Sequence, residues 1–468
     1  MFSIKKLLGF IVIFSFIFLN MANGQVLYLK DAVRTALNNY GTVKAKANYV
    51  DASKALVKES SREYLPDLNI AIQQDYGTIN EQSGPLYGFK GYGVASSGPI
   101  LPSQNWDAAF GALYVSNINW DFFAFGKAKQ RVKVAQSEML LNVSDLEQEK
   151  FQHEIRVSGA YLNLLAAQSL TRSQQDNLER AIALRNVVAA RTMAGLNPGV
   201  DSSLANAEVS NAKITLIRAR DYEQEQSSVL AKLMGINKPI DDFSLDSFFI
   251  RNIPKGIYDT VQANQLDHPI LKYYHDRITL SDETARYYKS SNYPVFSLFG
   301  IFQGRGSGFD YNYGAQGSYD YSHGYWSGVD PTRANYLFGI GMSWNLTTPL
   351  RTQQQVAAQH LISKGLQDEY NLANQNLIDE LILSDAKMKN AMASYFESPV
   401  QVKAARDAYE QKTVMYKNGL SNIVDLTQAL FTLNRAEIDR SIVFNNVWQA
   451  LLLKAAATGD FGIFINAF

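Results

Sequence analysis

The chain has 468 residues, with 44 lysines and arginines against 44 aspartates and glutamates, so its formal net charge is +0. That balance argues against a nucleic-acid binder that works by neutralising phosphates, and the absence of cysteine excludes disulfide scaffolds, thiol catalysis, Cys-ligated zinc and a lipidated N-terminal cysteine. A hydrophobic content of 46% is too low for a polytopic helical membrane protein, yet 26 tyrosines and 25 phenylalanines are many for a chain whose patterns read as mostly helical.

Residues 1–24 read as a secretory signal peptide. Lys5 and Lys6 form the positive segment, Leu7 to Leu19 is apolar apart from Gly9 and Ser15, and Ala22 and Gly24 are the small residues a signal peptidase accepts. The competing reading is a single membrane anchor, since the run is near the lower limit for a span. Removal of the peptide takes two lysines and no acid, leaving a net charge of −2. No other long uncharged apolar run follows, so an exported chain would not enter a membrane as an apolar helix.

Leu29 to Arg62 is predicted helical, with Gly41 as an interruption and Pro66 as the stop. Over residues 67–77 the period changes to two, with Leu68, Ile70 and Ile72 alternating with Asn69, Ala71 and Gln73, which predicts a strand. A Gly/Ser/Pro-rich loop covers 78–108, and a second strand covers 111–120. A helix from about Lys127 to Ala194 has no proline and one glycine, Gly159, and would be roughly 100 Å long. It breaks at Gly195-Leu196-Asn197-Pro198-Gly199. Helix resumes near Asp201, read as an N-cap, and runs to Met234, with Gly235 as its C′ residue.

Residues 236–256 form a connector, and then the order recurs. Helix is predicted over 257–290, a stop at Tyr293-Pro294, and a strand over 295–303. A Gly/Tyr-rich loop follows. A strand over 336–346 has Tyr336, Phe338, Ile340, Met342, Trp344 and Leu346 on one side. Helix runs from about Arg351 to Lys417, breaks at Asn418-Gly419-Leu420-Ser421-Asn422, and resumes to Thr458, with Gly459 and a short tail (460–468) after it.

The two halves, 25–235 and 257–459, read as one unit written twice. A shift of 224 residues lays Trp120 on Trp344, Gln130 on Gln354, Gly195-Leu196 on Gly419-Leu420, Val200-Asp201 on Val424-Asp425 and Gly235 on Gly459. Before the strands the shift is 228, with Asp31 on Asp259 and Pro66 on Pro294, and the loop between strands absorbs the difference.

Each unit is thus helix, strand, strand, long helix, break, helix. Strands of about 10 residues suffice to cross a bilayer at a tilt. A sheet facing lipid must close, and four strands cannot, because membrane barrels start at about eight. Several copies must then share a barrel, eight strands from two chains or twelve from three. The competing reading packs the strands' apolar face on helices in a soluble sheet. The long helices and their antiparallel returns make hairpins that form a hollow helical cylinder with copies from neighbours. The glycine breaks are its tips, at the end away from the strands.

Trp120-Asp121-Phe122-Phe123-Ala124-Phe125-Gly126 at a strand end, the two tip sequences from Gly195 to Asp201 and from Gly419 to Asp425, and the duplicated unit resemble the TolC-like outer membrane efflux proteins of Gram-negative bacteria, over nearly the whole mature chain. Leu346-Thr347-Thr348-Pro349-Leu350 departs from its counterpart in the first half. The resemblance implies a homotrimer with a mainly α fold: a twelve-stranded outer-membrane β-barrel over a periplasmic α-helical barrel. It implies a passive exit duct for efflux or type I secretion, joined to an inner-membrane pump through a periplasmic adaptor, with no cofactor and no catalysis. An exported coiled-coil scaffold or adhesin without a pore is the alternative.

Adaptor contact is expected at Gly195, Leu196, Val200 and Asp201 and at Gly419, Leu420, Val424 and Asp425. There glycine permits the turn, the aliphatics pack on the partner and aspartate caps the returning helix. The plainer reading is that all eight only build the turns. A gate is expected just above the tips at Asp407 and Glu410, which lie opposite Ala183 and Asn186 of the first half. Lys403–Asp407 and Arg406–Glu410 pairs on a solvated helix face would explain these acids equally. Gly304-Arg305-Gly306-Ser307-Gly308 follows a strand without opening a helix, so it reads as a hairpin loop rather than a phosphate loop. His268 and His275 lack a carboxylate that would complete a metal site, and Asp241-Asp242 reads as solvated.

Overall fold

The structure is a computed structural model that describes residues 26–81, 97–237, 243–246, 248–254, 267–315 and 317–467. The expected signal peptide, the Asp241-Asp242 pair and the first ten residues of the helix expected at 257–290 lie outside them. The chain divides into two compact units. One comprises Met1–Ala52, Leu140–Ile278 and Lys364–Phe468, and the other Ser53–Met139 and Thr279–Ser363.

The second unit carries one antiparallel sheet of four strands, β1 (Asp67–Thr78), β2 (Ala108–Phe123), β3 (Val295–Ser307) and β4 (Arg333–Ser343), in the order β1-β2-β3-β4. The two strand pairs expected from the sequence are joined, because β2 pairs with β3 with Ile118 opposite Gly300. Pairing also lengthens the strands. β2 starts at Ala108, opposite Thr78, rather than at 111, and β3 continues to Ser307, opposite Gly111, rather than ending at 303. For β4 the expected range 336–346 is corrected to 333–343. The alternation continues through Trp344 and Leu346, but Ser343 already faces Val295, the first residue of β3, so no ladder partner remains. The Trp344 indole instead donates to the Asn292 carbonyl at 3.0 Å. The Trp120 indole donates likewise to the Tyr64 carbonyl at 2.8 Å. The two donors are 224 residues apart and the two acceptors 228, so one bond is made twice at the two offsets of the repeat.

The first unit is helical. α1 (Leu29–Asn39) and α2 (Gly41–Arg62), which runs on into the second unit, replace the single helix expected over 29–62. Tyr40 between them is extended (φ −65°, ψ 125°), and its ring stacks on buried His153 with centroids 3.9 Å apart. α3 (Lys127–Met193) and α4 (Gly199–Met234) form the first hairpin. The short α5 (Phe248–Arg251) and then α6 (Pro269–Ser290) follow, while α7 (Tyr325–Val329) lies between β3 and β4. α8 (Thr348–Lys417) and α9 (Ile423–Thr458) form the second hairpin, and α10 (Gly462–Ile465) closes the described chain. α8 continues through Pro399, which removes one donor from its ladder.

The core of this unit gathers Leu29 and Val33 of α1, Val157, Tyr161 and Leu164 of α3, Leu230 and Met234 of α4, and Trp448 and Leu451 of α9. Two of its large aromatic side chains carry paired polar atoms. The Trp448 indole donates to the Asn252 carbonyl at 3.0 Å and the Tyr161 hydroxyl to the Leu27 carbonyl at 2.7 Å, so the connector and the segment before α1 are each fastened to the helices. Among the described residues no helix is long and apolar enough to cross a membrane.

Candidate functional site

The two hairpin tips are built alike. Gly195 (φ 74°) and Gly419 (φ 75°) sit in the left-handed region, which glycine reaches without a Cβ penalty. At the first tip the Leu196 amide donates to the Arg191 carbonyl at 2.9 Å and the Gly195 amide to the Thr192 carbonyl at 3.0 Å. At the second, Leu420 bonds Met415 at 2.8 Å and Gly419 bonds Tyr416 at 3.0 Å. These paired bonds are the Schellman closure. They turn the backbone so that Leu196 and Leu420 stand 67% and 72% exposed, with Val200 and Val424 also exposed beside them.

The capping role expected for the two aspartates is corrected. α4 starts at Gly199 behind Pro198, which makes no side-chain cap, and α9 is capped by Asn422, whose side chain accepts the Asp425 amide at 2.8 Å. Asp201 and Asp425 lie three residues past the caps, where a carboxylate favours the positive end of the helix dipole. Each is tied down differently. Asp425 accepts from Lys412 Nζ at 2.8 Å and from the Ser421 hydroxyl at 3.3 Å, and Lys412 holds its carboxyl below the usual carboxylate range. Asp201 accepts from the Asn197 side-chain amide at 2.7 Å.

Asn197 is also where the hairpins meet. Its amide donates to the Tyr416 hydroxyl at 2.9 Å and its carbonyl accepts from Arg191 Nε at 2.9 Å. Arg191 Nη1 reaches the Lys417 carbonyl at 2.8 Å, with its guanidinium 5.5 Å from the centre of the Tyr416 ring. Burial pushes the Tyr416 hydroxyl pKa up, with the Asp201 charge adding to it. Below this network Leu184, Val188, Ala205, Ile423, Leu426 and Leu430 pack as a small core. The sequence reading missed Arg191, Tyr416 and Lys412. The one signal available was that the repeat is broken there: Arg191 aligns with Met415 and Thr192 with Tyr416, so the network can be made only once.

Asp407 and Glu410 are exposed on α8, three residues apart. The pairs Lys403–Asp407 and Arg406–Glu410 are not formed. Arg406 turns to Glu437 at 3.2 Å, which also receives Arg180 at 2.8 Å and so links the hairpins. Neither Asp407 nor Glu410 has a hydrogen-bond or ion-pair partner among the described residues.

The sheet has two unlike faces. On one, Leu68, Ile70 and Ile72 of β1 align through Ile118 and Tyr114 of β2 and Leu298 and Phe302 of β3 with Tyr336, Phe338 and Ile340 of β4. Ile70 is 75% and Phe338 72% exposed, so around these residues the apolar face is not packed on helices as a soluble sheet would require. The other face is mixed: it carries Asp67, Asn69, Gln73, Asp75, Asn117, Asn119, Asp121, Ser297, Gln303 and Arg305 together with Leu113, Val115, Phe299, Ile301 and Leu337. Close glycine contacts hold rings against the sheet. A Cβ at Gly339 would lie 2.4 Å from the Phe299 ring and one at Gly300 2.9 Å from that of Phe338.

His268 is structural. Its Nδ1 accepts the Ile270 amide at 3.2 Å and its Nε2 donates to the Ala456 carbonyl at 3.1 Å, which requires the neutral ring, and burial lowers its pKa. His275 is exposed, with Asp276 3.6 Å away.

The family model of outer membrane efflux proteins matches residues 32–236. No curated protein matches the sequence. Among solved structures the chain is similar to the outer membrane protein VceC of Vibrio cholerae (TM-score 0.71, 16% identity, 92% of this chain and 96% of that one). It is also similar to the CmeC outer membrane channel of Campylobacter jejuni (0.72, 16%, 92% and 85%) and to the open state of the MtrE outer membrane channel of Neisseria gonorrhoeae (0.69, 15%, 92% and 89%). At these identities the likeness to the solved structures is one of fold. Together with the family match it bears out the resemblance to TolC-like proteins.

Proposed function

We propose that three copies of this chain pool their sheets into one twelve-stranded barrel in the outer membrane. They work as the passive exit duct of a tripartite efflux or type I secretion machine, with a periplasmic adaptor and an inner-membrane pump as partners. The observation that carries this reading is the sheet itself. It has one predominantly apolar face whose Ile70 and Phe338 stand exposed, one face that holds all the charged strand residues named above, and outer edges of β1 and β4 that pair with nothing among the described residues. Unpaired backbone groups in hydrocarbon cost several kcal/mol each, so such a sheet is stable in lipid only when neighbours complete it. The ring spacing agrees. From Trp120 to Phe110 on β2 is ten residues, about 33 Å along the strand and about 25 Å along the membrane normal at a 40° tilt, the height of the apolar band between aromatic girdles.

Transport of this kind needs no chemical step, only a hydrated path and a means of closing it. The exposed Leu196, Val200, Leu420 and Val424, presented on turns fixed by Gly195 and Gly419, are the surface offered to the adaptor. Asp201 and Asp425 hold the returning helices in place. Asp407 and Glu410, unpaired among the described residues, would stand three times around the axis of a trimer and form acidic rings that favour cations. Purified protein in a planar bilayer tests the reading. Discrete ion-conducting steps are expected, and a stable assembly without conductance would support the scaffold or adhesin instead. Replacing Asp407 and Glu410 together by alanine is expected to lower the cation-over-anion permeability ratio, and an unchanged ratio removes them from the gate.

A further inference from the structure

The glycines of Gly304-Arg305-Gly306 have a use that a plain hairpin loop does not require. Gly304 and Gly306 lie on the apolar face of β3, in register with Tyr114 and Ala112 of β2. Residues 324–331, which contain α7, fold back over them. A Cβ at Gly306 would fall 2.6 Å from the Gly328 carbonyl oxygen and 2.7 Å from that of Asp330, and one at Gly304 3.6 Å from Pro331. The approach is reciprocal, since a Cβ at Gly328 would lie 2.3 Å from the Phe110 carbonyl oxygen. The segment is also fastened by polar bonds. The Tyr114 hydroxyl donates to the Val329 carbonyl at 2.9 Å, and the Tyr325 hydroxyl donates to Gln74 Oε1 at 2.9 Å. The Tyr325 ring meets Phe110 edge-on at 5.3 Å, and Phe110 meets Tyr76 at 4.8 Å. Trp326, beside Tyr325, is left 77% exposed.

We propose that this glycine track seats residues 324–331 on the lipid-facing side of the sheet as an interfacial anchor, with Tyr325 and Trp326 lying at the boundary between headgroups and acyl chains of the outer leaflet. The inference rests on the membrane reading above and adds to it an element that no strand pattern supplies. Three features of the site select lipid as the occupant. The segment sits on the same face as Ile70, Ile72 and Phe338, so its surroundings continue the apolar band. It sits where that band ends, because Ile72 is followed on that face by Gln74 and then Tyr76. It presents an indole and a phenol, whose apolar bodies and polar tips suit the interface. A loop built only to face water would gain nothing from glycines that bring its backbone against the apolar side of the sheet.

The chain has no cysteine, so Trp326→Cys, Ile70→Cys and Tyr311→Cys each give a unique attachment point for a nitroxide in proteoliposomes of phosphatidylethanolamine and phosphatidylglycerol. Collision with oxygen relative to a water-soluble nickel chelate then reads depth. The expected order is Ile70 deepest, Trp326 intermediate and Tyr311, 89% exposed in the loop, in water. Adding Gly306→Val is expected to bring the ratio at 326 down to that at 311 while leaving that at 70 unchanged. A ratio at 326 equal to that at 311 in the otherwise unaltered chain, with 70 still deep, overturns the anchor and leaves the barrel standing. A label at 326 shielded from both reagents, as a second copy seated there would produce, also overturns it. Water-like ratios at all three positions overturn the anchor and the membrane reading together.

Discussion

Individual side chains show where residue chemistry reads through to structure and where it does not. The sequence marked His268 as a metal candidate lacking partners, and the structure gives it a backbone amide on one ring nitrogen and a backbone carbonyl on the other. Nothing in local spacing could have shown this, since the acceptor at Ala456 is 188 positions away. Its pKa is lowered by burial, as is that of His153, whose Nε2 bonds the Leu233 carbonyl at 2.9 Å. A base held neutral in the fold takes up its proton more readily when unfolded. The stability it contributes is therefore complete above the unfolded pKa of about 6.5 and is lost as pH falls below it. His268→Gln keeps one donor and one acceptor and removes the titration. Its unfolding in detergent from pH 7 to 5 is expected to show a shallower loss of stability, by up to about 1.4 kcal/mol per pH unit. An unchanged slope would mean that His268 does not titrate on unfolding. The same contrast between local and distant information holds at the tips. Gly195 and Gly419 were legible because a left-handed C′ residue is a local demand, whereas Arg191 and Tyr416 meet across hairpins and were not.

Long helices were legible from composition and their stops, and strands from their period. Long runs poor in glycine and proline, ended by glycine breaks, placed both hairpins to within a few residues. The two-residue pattern found all four strands. Their ends moved because a strand stops where its partner stops: β4 ends opposite Val295 although Trp344 and Leu346 continue the alternation, and β2 lengthens because β1 and β3 reach farther than their own patterns suggest. At the break, the Tyr40 ring stacks on His153, more than a hundred positions away. At this scale the tips carry the prediction. Leu196→Asp with Leu420→Asp puts two charges on the exposed C″ positions while leaving the Schellman bonds, which are backbone to backbone, intact. Export is expected to be lost while assembly and membrane insertion persist, measured by substrate accumulation in cells and by gel mobility of the extracted oligomer. Full export by this variant would show that the tips are turns and nothing more.

For the molecule as a whole, the deciding feature is a sheet that is finished on neither edge. Its apolar face suits lipid and its charged residues lie on the other, and Ile70 and Phe338 of the apolar face remain exposed in a single chain. The sequence had already offered no long uncharged apolar run after residue 24 to do the spanning, and strand count had shown that four strands do not close. What the sequence left open was whether the strands formed two hairpins or one sheet, and only the β2–β3 register answers that. The cysteine-free chain permits a direct test of how the edges are completed. Cysteines scanned in pairs, one along β1 (67–78) and one along β4 (333–343), are oxidised in isolated outer membranes and the products sized on denaturing gels. Matched positions are expected to link copies through their edges into a ladder that ends at a closed ring of three chains. Cross-links confined within single chains, or none at any pair of positions, would contradict a barrel shared among three copies.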